Sequence, residues 1–110
     1  MNKEIIKFKN IELKHSFNLD PDELKLIKNN SKKSIVKRFY LPLEKKEIGL
    51  VNSDTDRIEI VIKVGMILDL TQMHPDDLEI IYEEANITEE FRKYYPCNYL
   101  YTINSWRIVQ

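Results

Sequence analysis

Few residues of this 110-residue chain are of a type and spacing that could do chemistry. Glu59, Lys63 and Asp69 fall in one alternating stretch, the residue types that metal-assisted phosphodiester cleavage uses. That chemistry needs an acid and the lysine two residues apart, on one face of a strand, so that both reach one metal and its water. Here Glu59 and Lys63 are four apart, and Val61 and Ile67 interleave. Asp54-Thr55-Asp56 has two carboxylates but lacks the other ligands of a calcium loop, so it reads as a turn. His15, His74 and Cys97 do not show zinc-site spacing. Cys97 beside a histidine would make a nucleophile and base, whereas a lone cysteine is more simply a small buried thiol. His15 lies on an apolar strand face, and His74 precedes Pro75 at a helix start. With Gly49 and Gly65 as the only glycines there is no glycine-rich phosphate loop. The residues therefore call for no catalytic set, metal or cofactor, and the chain is expected to bind rather than to be an enzyme.

Charge is the more informative signal. The formal net charge is only −1, which gives no overall attraction to nucleic acid or acidic membranes. That total hides a split. Lys25, Lys28, Lys32, Lys33, Lys37, Arg38, Lys45 and Lys46 face a single acid, Glu44, between residues 25 and 46. Residues 69–91 carry Asp69, Asp76, Asp77, Glu79, Glu83, Glu84, Glu89 and Glu90 with no lysine or arginine. Four of these acids suit helix first turns, where the macrodipole favours them; Glu83 and Glu84, near a helix end, have no such reason. A solvated face attracted to the basic segment is the plainest reading. A functional one is an acidic surface for a basic protein, in which charge complementarity steers encounter. The mirrored reading uses Lys32, Lys33, Lys37 and Arg38 on phosphates, with Tyr40 stacking on bases. No nucleic-acid-binding sequence pattern accompanies them.

Aromatic residues gather toward the C-terminus: Tyr94, Tyr95, Tyr99, Tyr101 and Trp106. Tyr99 and Tyr101 alternate with Leu100. If Leu100 faces the core, the two tyrosines face outward and are candidates for a partner surface. Trp106 is expected in the core.

The elements that must position these residues follow from periodicity. From Arg57 to Thr71 every even position between Ile58 and Leu70 is apolar, a strand signal of unusual length. A strand with so much to bury belongs inside a sheet, and Gly65 is expected to mark a bulge. Residues 4–19 alternate with a change of phase at Lys9-Asn10. Residues 34–43 and 47–52 alternate too and, with the long strand, read as a three-strand meander. Asp20-Pro21 and His74-Pro75 are helix starts, with a further short helix from Glu89 to Tyr95. Tyr99–Ile103 and Trp106–Val109 read as two strands joined at Asn104-Ser105. The expected fold is a single α+β domain over residues 1–110. Its order is β-β-α-β-β-β-α-α-β-β, a curved, mostly antiparallel sheet with short helices packed on one face.

The start Met1-Asn2-Lys3-Glu4 has no signal-peptide pattern, no apolar run spans a membrane, and one cysteine allows no internal disulfide. A cytoplasmic protein is expected, and the frequent Ile, Lys and Asn match an AT-rich bacterial or phage genome. The leading functional expectation is a protein-binding module of inhibitor or immunity type. It would occlude a basic partner with Asp76, Asp77, Glu79, Glu83, Glu84, Glu89 and Glu90. The alternative is a small nucleic-acid-binding or regulatory protein working through residues 32–40.

Overall fold

The structure, a computed structural model, describes residues 6–8, 11–13 and 15–109. The phase change at Lys9-Asn10 lies outside the described residues. On either side of it, β1 (Ile6–Phe8) and β2 (Ile11–Leu13) form a two-stranded antiparallel sheet. The main sheet has five strands: β3 (Ser16–Leu19), β4 (Ser34–Lys37), β5 (Glu47–Asn52), β6 (Arg57–Asp69) and β7 (Tyr99–Ile108). Three short helices accompany it: α1 (Pro21–Lys28), α2 (Pro75–Glu84) and α3 (Glu89–Tyr94). The fold is α+β with a curled sheet. The strand order is β3-β5-β6-β7-β4, and only β3 with β5 is parallel.

The long strand sits in the middle, as its apolar content requires. It pairs with β5 on one side and β7 on the other. Its even-numbered stripe does not stay on one face, however. Leu50 opposes Ile60 and Val51 opposes Ile58, so Glu59 is an extra residue. The bulge sends Ile58 into a cluster with Val51 and Val61, away from Ile60. A second irregularity falls at Gly65-Met66, since Val64 opposes Ile103 and Ile67 opposes Tyr101. Beyond it Ile67, not Met66, packs on the inner core, and Met66 is 60% exposed. The expected bulge at Gly65 is thus present. A Cβ there would lie 2.5 Å from Asn104 Oδ1 and from Thr102 Oγ1.

Two expectations of connectivity are corrected. Residues 34–71 are not a meander: β4 ends at Lys37 and pairs with β7, placing Ile35 opposite Tyr101. Both sides of β6 are taken by β5 and β7, so the remaining place for β4 is the far edge of β7. The C-terminal segment is one strand, not a hairpin. A two-residue hairpin turn needs positive φ, and neither Asn104 nor Ser105 has it. Asn104 instead occupies a bulge, between pairs Lys63–Ser105 and Val64–Ile103.

Inside the curl, Ile35, Ile48, Leu50, Ile60, Ile62, Val64 and Tyr101 form the core, joined by Leu24 and Ile27 of α1. Burying those two α1 side chains contributes roughly 1.5–3 kcal/mol each, which a helix of eight residues needs to persist. Helices α2 and α3 contribute Leu78, Ile81, Tyr82 and Phe91 to a separate cluster around Leu70, Ile87 and Leu100. No helix among the described residues is long and apolar enough to cross a membrane.

Candidate functional site

A cleft lies at the open seam of the curled sheet, where the edge strands β3 and β4 approach each other. Its volume is about 490 Å³, within the range of small-molecule sites. Asn18, Asp20, Glu23, Leu26, Lys32 and Val36 line the side formed by β3, α1 and β4. Asn86, Ile87, Phe91 and Tyr95 line the side formed by α3 and the loop before it.

Local chemistry places each wall. Asp20 caps α1, its carboxylate accepting from the amides of Asp22 at 2.7 Å and Glu23 at 3.4 Å. Pro21 takes the first helical position, as the sequence indicates. The far end of α1 turns back because Asn30 adopts a left-handed backbone, with φ of 64°. That turn lets the amides of Ser31 and Lys32 donate to the Leu26 carbonyl and carries the Lys32 side chain into the cleft. Its ammonium lies 3.9 Å from the Glu23 carboxylate, and the side chain is only 13% exposed. Opposite, Thr88 caps α3 by accepting from the Phe91 amide. Tyr95, just past the helix end, stacks on Phe91 with ring centroids 4.8 Å apart and planes inclined by 24°. Tyr95 is 59% exposed, so one ring face is open to a ligand.

Lys37 crosses the seam. Its ammonium donates to the Asn18 carbonyl at 3.1 Å and sits 5.1 Å from the centre of the Phe17 ring. Burial lowers its pKa, opposed by the nearby Glu23 charge. Just beyond, Arg38 lies over the ring of the exposed Phe39. The loop carrying them is held by the Tyr101 hydroxyl, which donates to the Phe39 carbonyl and accepts from the Leu41 amide.

The basic residues named from the sequence therefore do not form one stripe. Lys32 enters the cleft, and Lys37 bridges the seam. Lys33 points to the other side, into a hollow it shares with Glu84 of α2. Tyr40 packs against Tyr99 at 5.6 Å. The acidic residues Asp76, Asp77, Glu79, Glu83, Glu84, Glu89 and Glu90 are all exposed. None forms an ion pair with a lysine or arginine among the described residues. His74 lies near Asp76, and its Nδ1 accepts from the Asp76 amide at the head of α2. Tyr101 is a correction: it is fully buried, and Tyr99 packs partly buried against the same core. The register that sets Ile35 opposite Tyr101 turns this residue inward, leaving Leu100 to the outer cluster.

The residues that looked reactive are structurally employed. Glu59 accepts from Lys28 at 2.7 Å and from Asn52 at 2.6 Å, tying α1 to the β5–β6 hairpin. Those hydrogen bonds lower its pKa. Burial raises the pKa of Cys97, with Arg92 and Lys32 opposing, so its sulfur is a thiol rather than a nucleophilic thiolate. Asp54 and Asp56 form the tight turn after Asn52. Among the described residues, no three His, Cys, Asp or Glu side chains are grouped to hold a metal. Asn18, Glu23, Leu26, Asn86, Phe91 and Tyr95, which line this cleft, are not among the candidates read from the sequence. Glu23 with Leu26 on α1, and Phe91 with Tyr95 at α3, share helical spacing, but no spacing in the sequence links the two pairs to each other or to Asn18 and Asn86.

No family model matches the chain, and no curated protein matches it in sequence. Among solved structures it is similar to the crystal structure of ASCH from Zymomonas mobilis, with a TM-score of 0.64 and 18% identity. The match covers 84% of this chain and 68% of that one. At that identity the likeness shows a shared fold.

Proposed function

We propose that this chain is a small nucleic-acid-binding module that seats an unpaired base in the seam cleft. The observation that carries this reading is the open face of Tyr95, backed by Phe91, in the same cleft as Lys32. Aromatic faces stack on bases of any sequence, and a lysine beside them attracts the phosphate. The carboxylates of Asp20 and Glu23 would repel a phosphate placed deep inside. They favour the base edge inward, where Glu23 can accept from an amino group and the Asn18 and Asn86 amides can add hydrogen bonds. The backbone then stays outside, near Lys32 and Lys37. A single strand suits this cleft, because a duplex hides its base faces.

The test is fluorescence anisotropy with labelled ten-nucleotide single-stranded RNA and DNA between 50 and 200 mM salt (roughly the range over which phosphate contacts are screened). Saturable binding that weakens with salt is expected, and Lys32→Ala and Tyr95→Ala should each reduce affinity on the order of tenfold. Absence of saturable binding at the lowest salt would sink the reading, as would full affinity in both variants.

A second reading rests on α2. Ile80 is 56% exposed. Asp76, Asp77, Glu83 and Glu84 stand three or four positions away, and so flank it on the helix surface. An apolar knob with an acidic rim suits a basic protein that offers an apolar socket, the inhibitor-type role. Co-purification of a basic protein, lost on Ile80→Asp or on Glu83→Lys with Glu84→Lys, supports it. Capture unchanged by these substitutions speaks against it.

A further inference from the structure

We propose that the seam holds a second subsite, so that the chain grips two successive bases of one strand rather than one. The inference rests on the nucleic-acid reading of the cleft and extends it along the fold. The edge strands β3 and β4 end the sheet order, and neither has a strand on its outer side among the described residues. They run in opposite directions across the seam. At one end Asn18–Asp20 faces Lys32 and Val36, in the cleft already described. At the other end Ser16–Asn18 faces Lys37, Phe39 and Leu41, around a second hollow of about 400 Å³. Asn18 lines both. We read the two hollows as one groove along the seam: they share Asn18 as a wall, and Lys37, which lines the second, reaches the Asn18 carbonyl.

The ends of this groove carry the same chemistry. One has Tyr95 above Phe91, and the other has Phe39, 66% exposed, with the Arg38 guanidinium 5.8 Å from its ring centre. The ammonium of Lys37 lies between them, where a phosphate joining two seated bases would pass. Along β3, Ser16 to Asp20 spans roughly 13 Å at ~3.3 Å per residue, which leaves room for two bases. The Tyr101 hydroxyl fixes the Phe39 loop before any ligand arrives, so stacking on Phe39 does not cost the ordering of that loop.

Uridine monophosphate and oligouridylates of two to four residues, titrated by calorimetry, test the proposal. The unmodified chain should bind the dinucleotide more tightly than the monophosphate, with little further gain at three and four. Phe39→Ala, at an exposed position that leaves the core intact, should weaken the tetranucleotide about tenfold and leave the monophosphate unchanged. Tyr95→Ala should weaken both. Equal affinity for one and two residues, or a tetranucleotide indifferent to Phe39→Ala, overturns the second subsite while the first stands. If no length binds, the cleft reading fails and the second subsite fails with it.

Discussion

Tyr101→Phe removes one oxygen from the centre of the fold and tests how the seam is held open. The Tyr101 side chain is fully buried. Its hydroxyl accepts from the Leu41 amide at 2.9 Å and donates to the Phe39 carbonyl. Burial raises its pKa, so the hydroxyl keeps its proton at neutral pH and both bonds persist. Phenylalanine preserves the ring packing, including the edge-on contact with Phe17 at 5.2 Å. The substitution therefore isolates the polar part. It leaves one backbone donor and one acceptor without a partner, each costing ~1–3 kcal/mol if water cannot reach it. Both lie in a partly exposed loop, so the sum should sit near the low end, about 1–3 kcal/mol in total. For a chain of this size that lowers Tm by roughly 4–12 °C, taking about 4 °C per kcal/mol. Thermal unfolding followed by far-UV circular dichroism reads the shift, and amide hydrogen exchange at Leu41 reads its location. A Tm within about 1 °C of the parent, with Leu41 still protected, would refute the clamp. The loop would then be held by something else, and the fixed placement of Phe39 would lose its basis.

Two further outcomes follow from the sheet. Glu59 has a pKa below its ordinary value of 4.5, chiefly through the Lys28 and Asn52 hydrogen bonds. Its contribution should be present above the unfolded-state pKa and disappear as pH falls through the lower folded-state value. Urea midpoints of the parent and Glu59→Gln should therefore differ at pH 7, with the gap narrowing as pH falls below about 4; a gap that stays constant to pH 3 contradicts this. Gly65→Ala places a methyl against Asn104 and Thr102, whose hydroxyl bonds the Met66 amide at 2.8 Å. A loss of about 1–3 kcal/mol by urea denaturation is expected, and a neutral result would mean that the bulge yields freely.

Much of the element inventory is legible in residue order because it depends on neighbours in the chain. Asp20-Pro21, His74-Pro75 and Thr88 start helices by satisfying amides two or three residues away, and the structure shows all three caps. The tight turn after Asn52 and the interior position of the long strand are equally local, the first in its hydrogen bonds and the second in its apolar content. Gly65 as a bulge also follows from the sequence.

What depends on distant partners is not legible in this way. The alternation from Ile58 to Leu70 describes one stripe, but Glu59 is the extra residue opposite β5, and its side chain holds Lys28 and Asn52. With the second bulge at Gly65-Met66, that confines Ile60, Ile62 and Val64 to the inner core and turns Ile58 and Met66 away. Tyr99 and Tyr101 have an alternation that is compatible with either face, and pairing with β4 decides it. Lys32 and Lys33 are adjacent in sequence yet open onto different hollows. The sequence alone determined an α+β chain with capped short helices, one dominant strand and a split of charge, because these rest on contacts within a few residues. Only the tertiary structure brought β3 and β4 to the two sides of a seam and set Tyr95 across from Lys32. Contacts between residues sixty positions apart leave no periodic trace in the chain that makes them.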